Sequence, residues 1–105
     1  MDSTIIERAV DLILEAAPAG SKVLLFGSHA RGDAGPESDL DFLVIEPEVK
    51  AYREEMVRLR EVLQPLRVPA DVLVTTEALF EEWRDTPGTV LYEAAKEGRV
   101  FDAVR

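Results

Sequence analysis

Three aspartates and one glycine-serine turn are the residues whose types and spacing could do chemistry in this chain. Asp39 and Asp41 stand two apart at the start of an apolar run, and Asp71 opens a later one. Alternation along a strand puts Asp39 and Asp41 on one face, about 7 Å apart along the chain. Carboxylates held side by side repel, an arrangement that makes sense when cations sit between them. Gly27-Ser28 directly follows the apolar run Val23-Leu24-Leu25-Phe26. Such a turn offers backbone N–H groups and a hydroxyl to an anion. Carboxylates for a metal beside a turn for phosphate describe a site for a metal–nucleotide complex.

Several familiar motifs fail on inspection. Gly27 and Gly32 have the glycine spacing of a Walker P-loop, but Asp33 stands where its lysine belongs and would repel phosphate. Asp39-Leu40-Asp41 opens like an EF-hand loop, but Leu43 takes the third ligand position. The single histidine, His29, cannot build a histidine metal site alone. It reads as a surface residue of the turn.

The elements that must position these residues follow from periodicity. Thr4 and Glu7 form a capping box for a first helix, whose apolar stripe is Ile6, Ala9, Val10, Ile13, Leu14 and Ala17. Pro18 and Gly20 stop it. Strands are expected over 22–26, 39–45 and 70–75, with a final short one over 99–102. In the second strand the aspartates share a face with Leu43 and Ile45, opposite Leu40, Phe42 and Val44. Both faces are apolar, which predicts a central position in the sheet. Pro47 suits the first turn of the next helix. Its expected buried stripe is Tyr52, Met56, Leu59, Leu63 and Leu66, with Glu54, Glu55, Arg58 and Arg60 solvated. Two short helices follow, one carrying Leu79, Phe80 and Trp83, the other running from near Pro87 to Gly98. The pattern predicts one α/β domain over 1–105, of α+β type: a small mixed β-sheet with helices packed on it.

Composition narrows the function. The formal net charge is −9, which argues against general nucleic-acid binding, since that rests on excess Lys and Arg. No apolar run approaches the ~20 residues of a membrane span, and the acidic N-terminus is unlike a secretory signal. There is no cysteine, hence no disulfide and no thiolate metal site. A cytoplasmic location is expected.

The surviving constellation is Gly27-Ser28, ten residues, Asp39-x-Asp41, then Asp71 on a later strand. With its surroundings, GSHARGDAGPESDLDFLV, it resembles the minimal nucleotidyltransferases of the DNA polymerase β-like superfamily, specifically over residues 22–75. The resemblance implies that family's fold core and a set of roles. Gly27, Ser28 and Arg31 would bind the nucleotide's phosphates, although Arg31 has Asp33 and Glu37 as alternative partners. Asp39, Asp41 and Asp71 would be both catalytic and metal-binding, holding two Mg²⁺ ions, with Asp71 favouring deprotonation of the acceptor hydroxyl. It further implies transfer of a nucleoside monophosphate, AMP from ATP, to a hydroxyl of a partner protein. In the minimal family that partner is a HEPN protein, and the pair is a toxin–antitoxin system in which the nucleotidyltransferase is the antitoxin. Two rival readings remain: a partner that neutralises a HEPN protein by binding alone, and a transferase acting on a small molecule, as in aminoglycoside-modifying relatives. The short chain shows no acceptor pocket for the latter.

Overall fold

A computed structural model describes residues 3–35 and 38–102. Helix α1 (Ser3–Ala16) leads into strand β1 (Lys22–Phe26), a one-turn helix α2 (Ser28–Arg31) and strand β2 (Leu40–Glu46). Helix α3 (Tyr52–Glu61) and a 3₁₀ turn (Gln64–Leu66) precede strand β3 (Ala70–Thr76). Helices α4 (Glu77–Trp83) and α5 (Val90–Glu97) and strand β4 (Arg99–Asp102) complete the fold. The four strands form one mixed sheet in the order β3-β2-β1-β4. β1 is antiparallel to both β2 and β4, whereas β2 and β3 run parallel. The central position expected for β2 is observed, and Leu40, Phe42, Leu43, Val44 and Ile45 are all buried.

Period-two alternation divides the core between the two sheet faces. Val23, Leu25, Leu40, Phe42, Val44, Val72 and Val74 pack with Ile6, Val10 and Ile13 of α1 and Leu59 of α3. Leu24, Leu43 and Ile45 pack on the other face with Phe80 of α4 and Ala94 of α5. Fully burying a side chain of this size is worth about 1.5–3 kcal/mol, so the parity of β2 is strongly fixed. A one-residue slip would turn Phe42 and Val44 away from α1 and α3. The same parity sets Asp41 on the α4–α5 side.

Several boundaries differ from the sequence reading. α1 already includes Ser3 and Thr4, so Thr4 is not its cap. α3 starts at Tyr52 after an extended Ala51, not at Pro47. Its charge pattern marks it better than the proline does: Glu54 and Glu55 lie in the first turn, Arg58 and Arg60 in the last, each complementing the helix dipole. Pro47 instead sits over Gly20. Pro65 ends the α-helical stripe, so Leu66 falls in the 3₁₀ turn. Tyr52, at the helix start, is exposed rather than core. Glu55 is half-buried rather than solvated and forms a 2.8 Å ion pair with Arg58. α5 begins at Val90, capped by Thr89, whose hydroxyl accepts a 3.1 Å hydrogen bond from the Tyr92 N–H. Among the described residues, no helix is long and apolar enough to cross a membrane.

Candidate active site

The site is built outward from the end of β1. Phe26 pairs with Asp41 across the antiparallel ladder, so the next residue, Gly27, lies against that carboxylate. Gly27 has φ 79° and ψ −159°, a conformation open essentially to glycine alone. A Cβ there would also overlap Asp41 Oδ2. Backbone angle and space therefore both demand glycine. The chain then closes one helical turn: the Ala30 and Arg31 N–H groups each donate to Gly27 O at 3.1 Å. The first-turn N–H groups of Ser28 and His29 have no acceptor within so short a helix.

Asp41 faces Asp71 directly in the parallel register of β2 and β3. In-register neighbours project from the same face of a sheet, which brings the two carboxylates together. Asp39 lies in the loop entering β2. Both Asp39 and Asp71 are exposed, whereas Asp41 is half-buried. Burial first, then the negative charges of Asp71 and Asp39, push the Asp41 carboxyl above its ordinary range; His29 and Arg31 pull it back. Gly27, Asp41 and Asp71 thus meet across the three adjacent elements β1, β2 and β3, and Asp39 and Arg31 act on them through charge.

Two contributors were not legible in the sequence. His29 donates from Nε2–H to the Ser38 carbonyl at 3.1 Å, tying the turn to the residue before Asp39. Glu97, at the end of α5, accepts from the Gly27 N–H at 3.1 Å and from Arg31 Nη1 at 3.0 Å, both at Oε1. Arg31 Nε also donates to Asp33 Oδ2 at 3.2 Å. The Asp33 alternative foreseen for Arg31 is therefore realised, and Glu37 lies outside the described residues. Glu97 is 70 residues from Gly27 along the chain, and no local pattern singles it out.

The donor set is all hard oxygen, which suits Mg²⁺. Among the described residues, no three His, Cys, Asp or Glu side chains gather tightly enough to enclose a metal unaided. Mg²⁺ commonly takes one or two carboxylates and completes its shell with substrate phosphates and water, a role the Asp41–Asp71 pair beside the Gly27 turn fits.

Residues 6–101 match the family model described as a nucleotidyltransferase domain. The chain belongs to this family. A stretch of 54 residues is 33% identical to a Methanocaldococcus jannaschii protein named "putative protein adenylyltransferase", covering 51% of the chain and 54% of that relative. The chain thus spans about half the length of the curated relative it matches. In fold, it is similar to a crystal structure from Sulfolobus solfataricus titled as a "putative nucleotidyltransferase": TM-score 0.61, 21% identity, 93% of this chain and 77% of that one. It is also similar to a chain of a toxin–antitoxin structure with AMP-PNP: TM-score 0.64, 15% identity, 93% of this chain and 74% of that one. These likenesses establish the expected mixed α/β nucleotidyltransferase fold.

Proposed function

We propose that this chain is an Mg²⁺-dependent nucleotidyltransferase that moves AMP from ATP to a hydroxyl of a partner protein. The observation that carries the reading is the in-register Asp41–Asp71 pair, set against a glycine turn that leaves no room for a side chain. Two Mg²⁺ ions bound by Asp39, Asp41 and Asp71 would supply charge stabilisation to the attacking oxygen and to departing pyrophosphate. Gly27 and Ser28 hold the β- and γ-phosphates. Arg31 turns from Glu97 to the same phosphates, which carry the larger charge. Asp71, exposed at the rim, would favour deprotonation of the acceptor hydroxyl, the proton passing to its carboxylate or on to water. The acceptor oxygen bonds to the α-phosphorus, the bond from that phosphorus to the β-phosphate bridging oxygen breaks, and pyrophosphate leaves.

The family resemblance and the toxin–antitoxin fold neighbour support a protein acceptor, with a HEPN protein as partner and this chain as antitoxin. The test incubates the purified chain with Mg²⁺, each labelled nucleotide in turn and the product of the neighbouring gene. The partner should gain the mass of one or more AMP units, and the modification should outlast separation of the two proteins. An unmodified partner, inhibited equally by wild type and by Asp39→Asn, would replace this reading with neutralisation by binding.

A further inference from the structure

Asp39 stands outside β2, which begins at Leu40, and it is exposed. Its direction is set by the two peptide planes that flank its Cα, since a residue has only two soft backbone dihedrals. Each plane is held by a hydrogen bond. On the C-terminal side, the Leu40 N–H donates to Pro69 O at 3.0 Å, which ties that plane to the residue before β3. On the N-terminal side, the Ser38 carbonyl accepts from His29 Nε2 at 3.1 Å. A carbonyl only accepts, so Nε2 carries the hydrogen. The other bonds of Ser38 are local: its N–H donates to Gly35 O at 3.2 Å, and its Oγ accepts from the Gly35 N–H at 2.9 Å. They shape a turn without fastening it to the domain. His29 does fasten it, because α2 is itself closed by the N–H groups of Ala30 and Arg31 on Gly27 O and of Gly32 on Ser28 O.

We propose that His29 is a positioning residue of the site: through Ser38 it holds Asp39 where that carboxylate can share a cation with Asp41, and it links the phosphate turn to the metal carboxylates. Nucleotide and Mg²⁺ then strengthen each other's binding. The role rests on the metal–nucleotide reading above. His29 directly follows Ser28 in the turn proposed to hold phosphate. A triphosphate that orders the turn therefore orders Asp39 as well, and the entropy of ordering is lost once for both ligands. An imidazole suits the task. It reaches the carbonyl through two rotatable bonds, whereas a lysine or glutamine loses more side-chain freedom on being fixed. His29 also acts on Asp41 through charge. A neutral donor in its place separates the two effects, because it keeps the bond and discards the charge.

The test compares wild type with His29→Phe, which keeps a planar ring and removes the donor, and with His29→Gln, whose neutral amide nitrogen can take the place of Nε2. Without ligand, ¹⁵N relaxation should show Ser38 and Asp39 losing order in His29→Phe and recovering it in His29→Gln. Calorimetry then measures ATP in EDTA and MgATP. Wild type should bind MgATP the more tightly. His29→Phe should weaken MgATP by about three- to tenfold, the fold-change of one hydrogen bond of ordinary net strength, and ATP in EDTA by less than about twofold. His29→Gln should recover most of the loss. Asp39→Asn already discards the carboxylate that His29 places, so adding His29→Phe to it should cost no further MgATP affinity. Unchanged order at Ser38 and Asp39 in His29→Phe, no recovery with glutamine, or additive losses with Asp39→Asn would each overturn the proposal. MgATP no tighter than ATP in wild type would strike the metal–nucleotide reading, and the coupling with it. A normal Mg²⁺ effect that His29→Phe leaves intact would strike the role of His29 alone.

Discussion

Strand β2 carries an acidic side chain near each end, and the two ends solve the same electrostatic problem differently. Asp41 and Glu46 differ in parity, so they project from opposite faces of the sheet. Both carboxyls are pushed up, and burial is the first cause for both. At the Glu46 end, α3 supplies the answer: the carboxyl keeps a proton, and Arg58 compensates Glu55. At the Asp41 end, the neighbours make matters worse. Asp71 and Asp39 add negative charge, and the nearby cation, Arg31, is already engaged by Asp33 and Glu97. An acid cluster that the fold neutralises internally reads as structure. One left uncompensated at the surface reads as a site completed by cations from solvent.

The sharpest way to break this contrast is Asp41→Asn. It removes a carboxylate from the proposed metal site and should lower AMP transfer by at least on the order of 10²–10³-fold, as for other groups that hold transition-state charge. Metal-free stability should stay level or rise by up to about 1 kcal/mol, because repulsion from exposed Asp71 and Asp39 is largely screened. Denaturant unfolding without metal separates the outcomes. A large loss of stability would make Asp41 a structural residue like its counterpart at the other end. Gly27→Ala attacks the same end through space and should disable nucleotide binding. The new methyl overlaps Asp41 Oδ2 at a positive φ, at a stability cost of about 1–3 kcal/mol. Wild-type melting temperature and MgATP affinity in this variant would refute the contact.

The Glu46 end should announce itself in pH dependence. Its carboxyl is raised from 4.5 to about 8 in the fold, so between those values the folded state holds a proton that the unfolded chain has lost. Stability from this group is fully present below about pH 4.5 and is lost as pH rises through about 8. Glu55 is lowered by its hydrogen bond to Arg58 and acts in the opposite sense, but only below about 4.5. From pH 5 to 8.5, without ligands, wild type should lose on the order of 4 kcal/mol that Glu46→Gln does not lose. Parallel stability curves for the two proteins would show that Glu46 is charged throughout.

The sequence made one of these ends legible and hid the other. Gly27-Ser28, Asp39 and Asp41 lie close in the chain and sit between strands whose alternation is clean, so local pattern placed them together. Asp71 was reachable because it opens a third apolar strand, and parallel pairing then set it opposite Asp41. Glu46 gave no such signal. It ends an apolar run, where a glutamate reads as a polar stop, and only packing against α3 reveals its burial. Glu55 and Arg58 likewise read as a solvated helix face, because spacing of three records their pairing but not the buried acid beneath them. Glu97 was invisible for a topological reason: β4 must first pair with β1 before α5 can deliver its last turn to Gly27.

Glu97 supplies the finest adjustment to the comparison, since it holds the cation Arg31 in an ion pair of its own beside the Asp41 end. Its Oε1 takes both the Gly27 N–H and Arg31 Nη1, the groups assigned to nucleotide phosphate. A single carboxylate charge there competes with a triphosphate and repels it. Glu97→Gln keeps an oxygen for the Gly27 N–H, so the turn should hold its shape, while the ion pair with Arg31 is lost and the repulsion with it. The pair is partly exposed, with side-chain exposures of 46% and 20%, so the effect is modest, about 0.5–1 kcal/mol. MgATP should bind roughly two- to fivefold tighter in isothermal titration at low salt, the gain shrinking as ionic strength rises. Combining Glu97→Gln with Arg31→Ala should remove the part of the gain that the freed guanidinium supplies and leave only the part from lost repulsion. Weaker MgATP binding in Glu97→Gln would reverse the role: Glu97 would then be the strut that holds Arg31 and Gly27 in place for phosphate, and the Asp41 end would be more internally supported than its uncompensated charge implies.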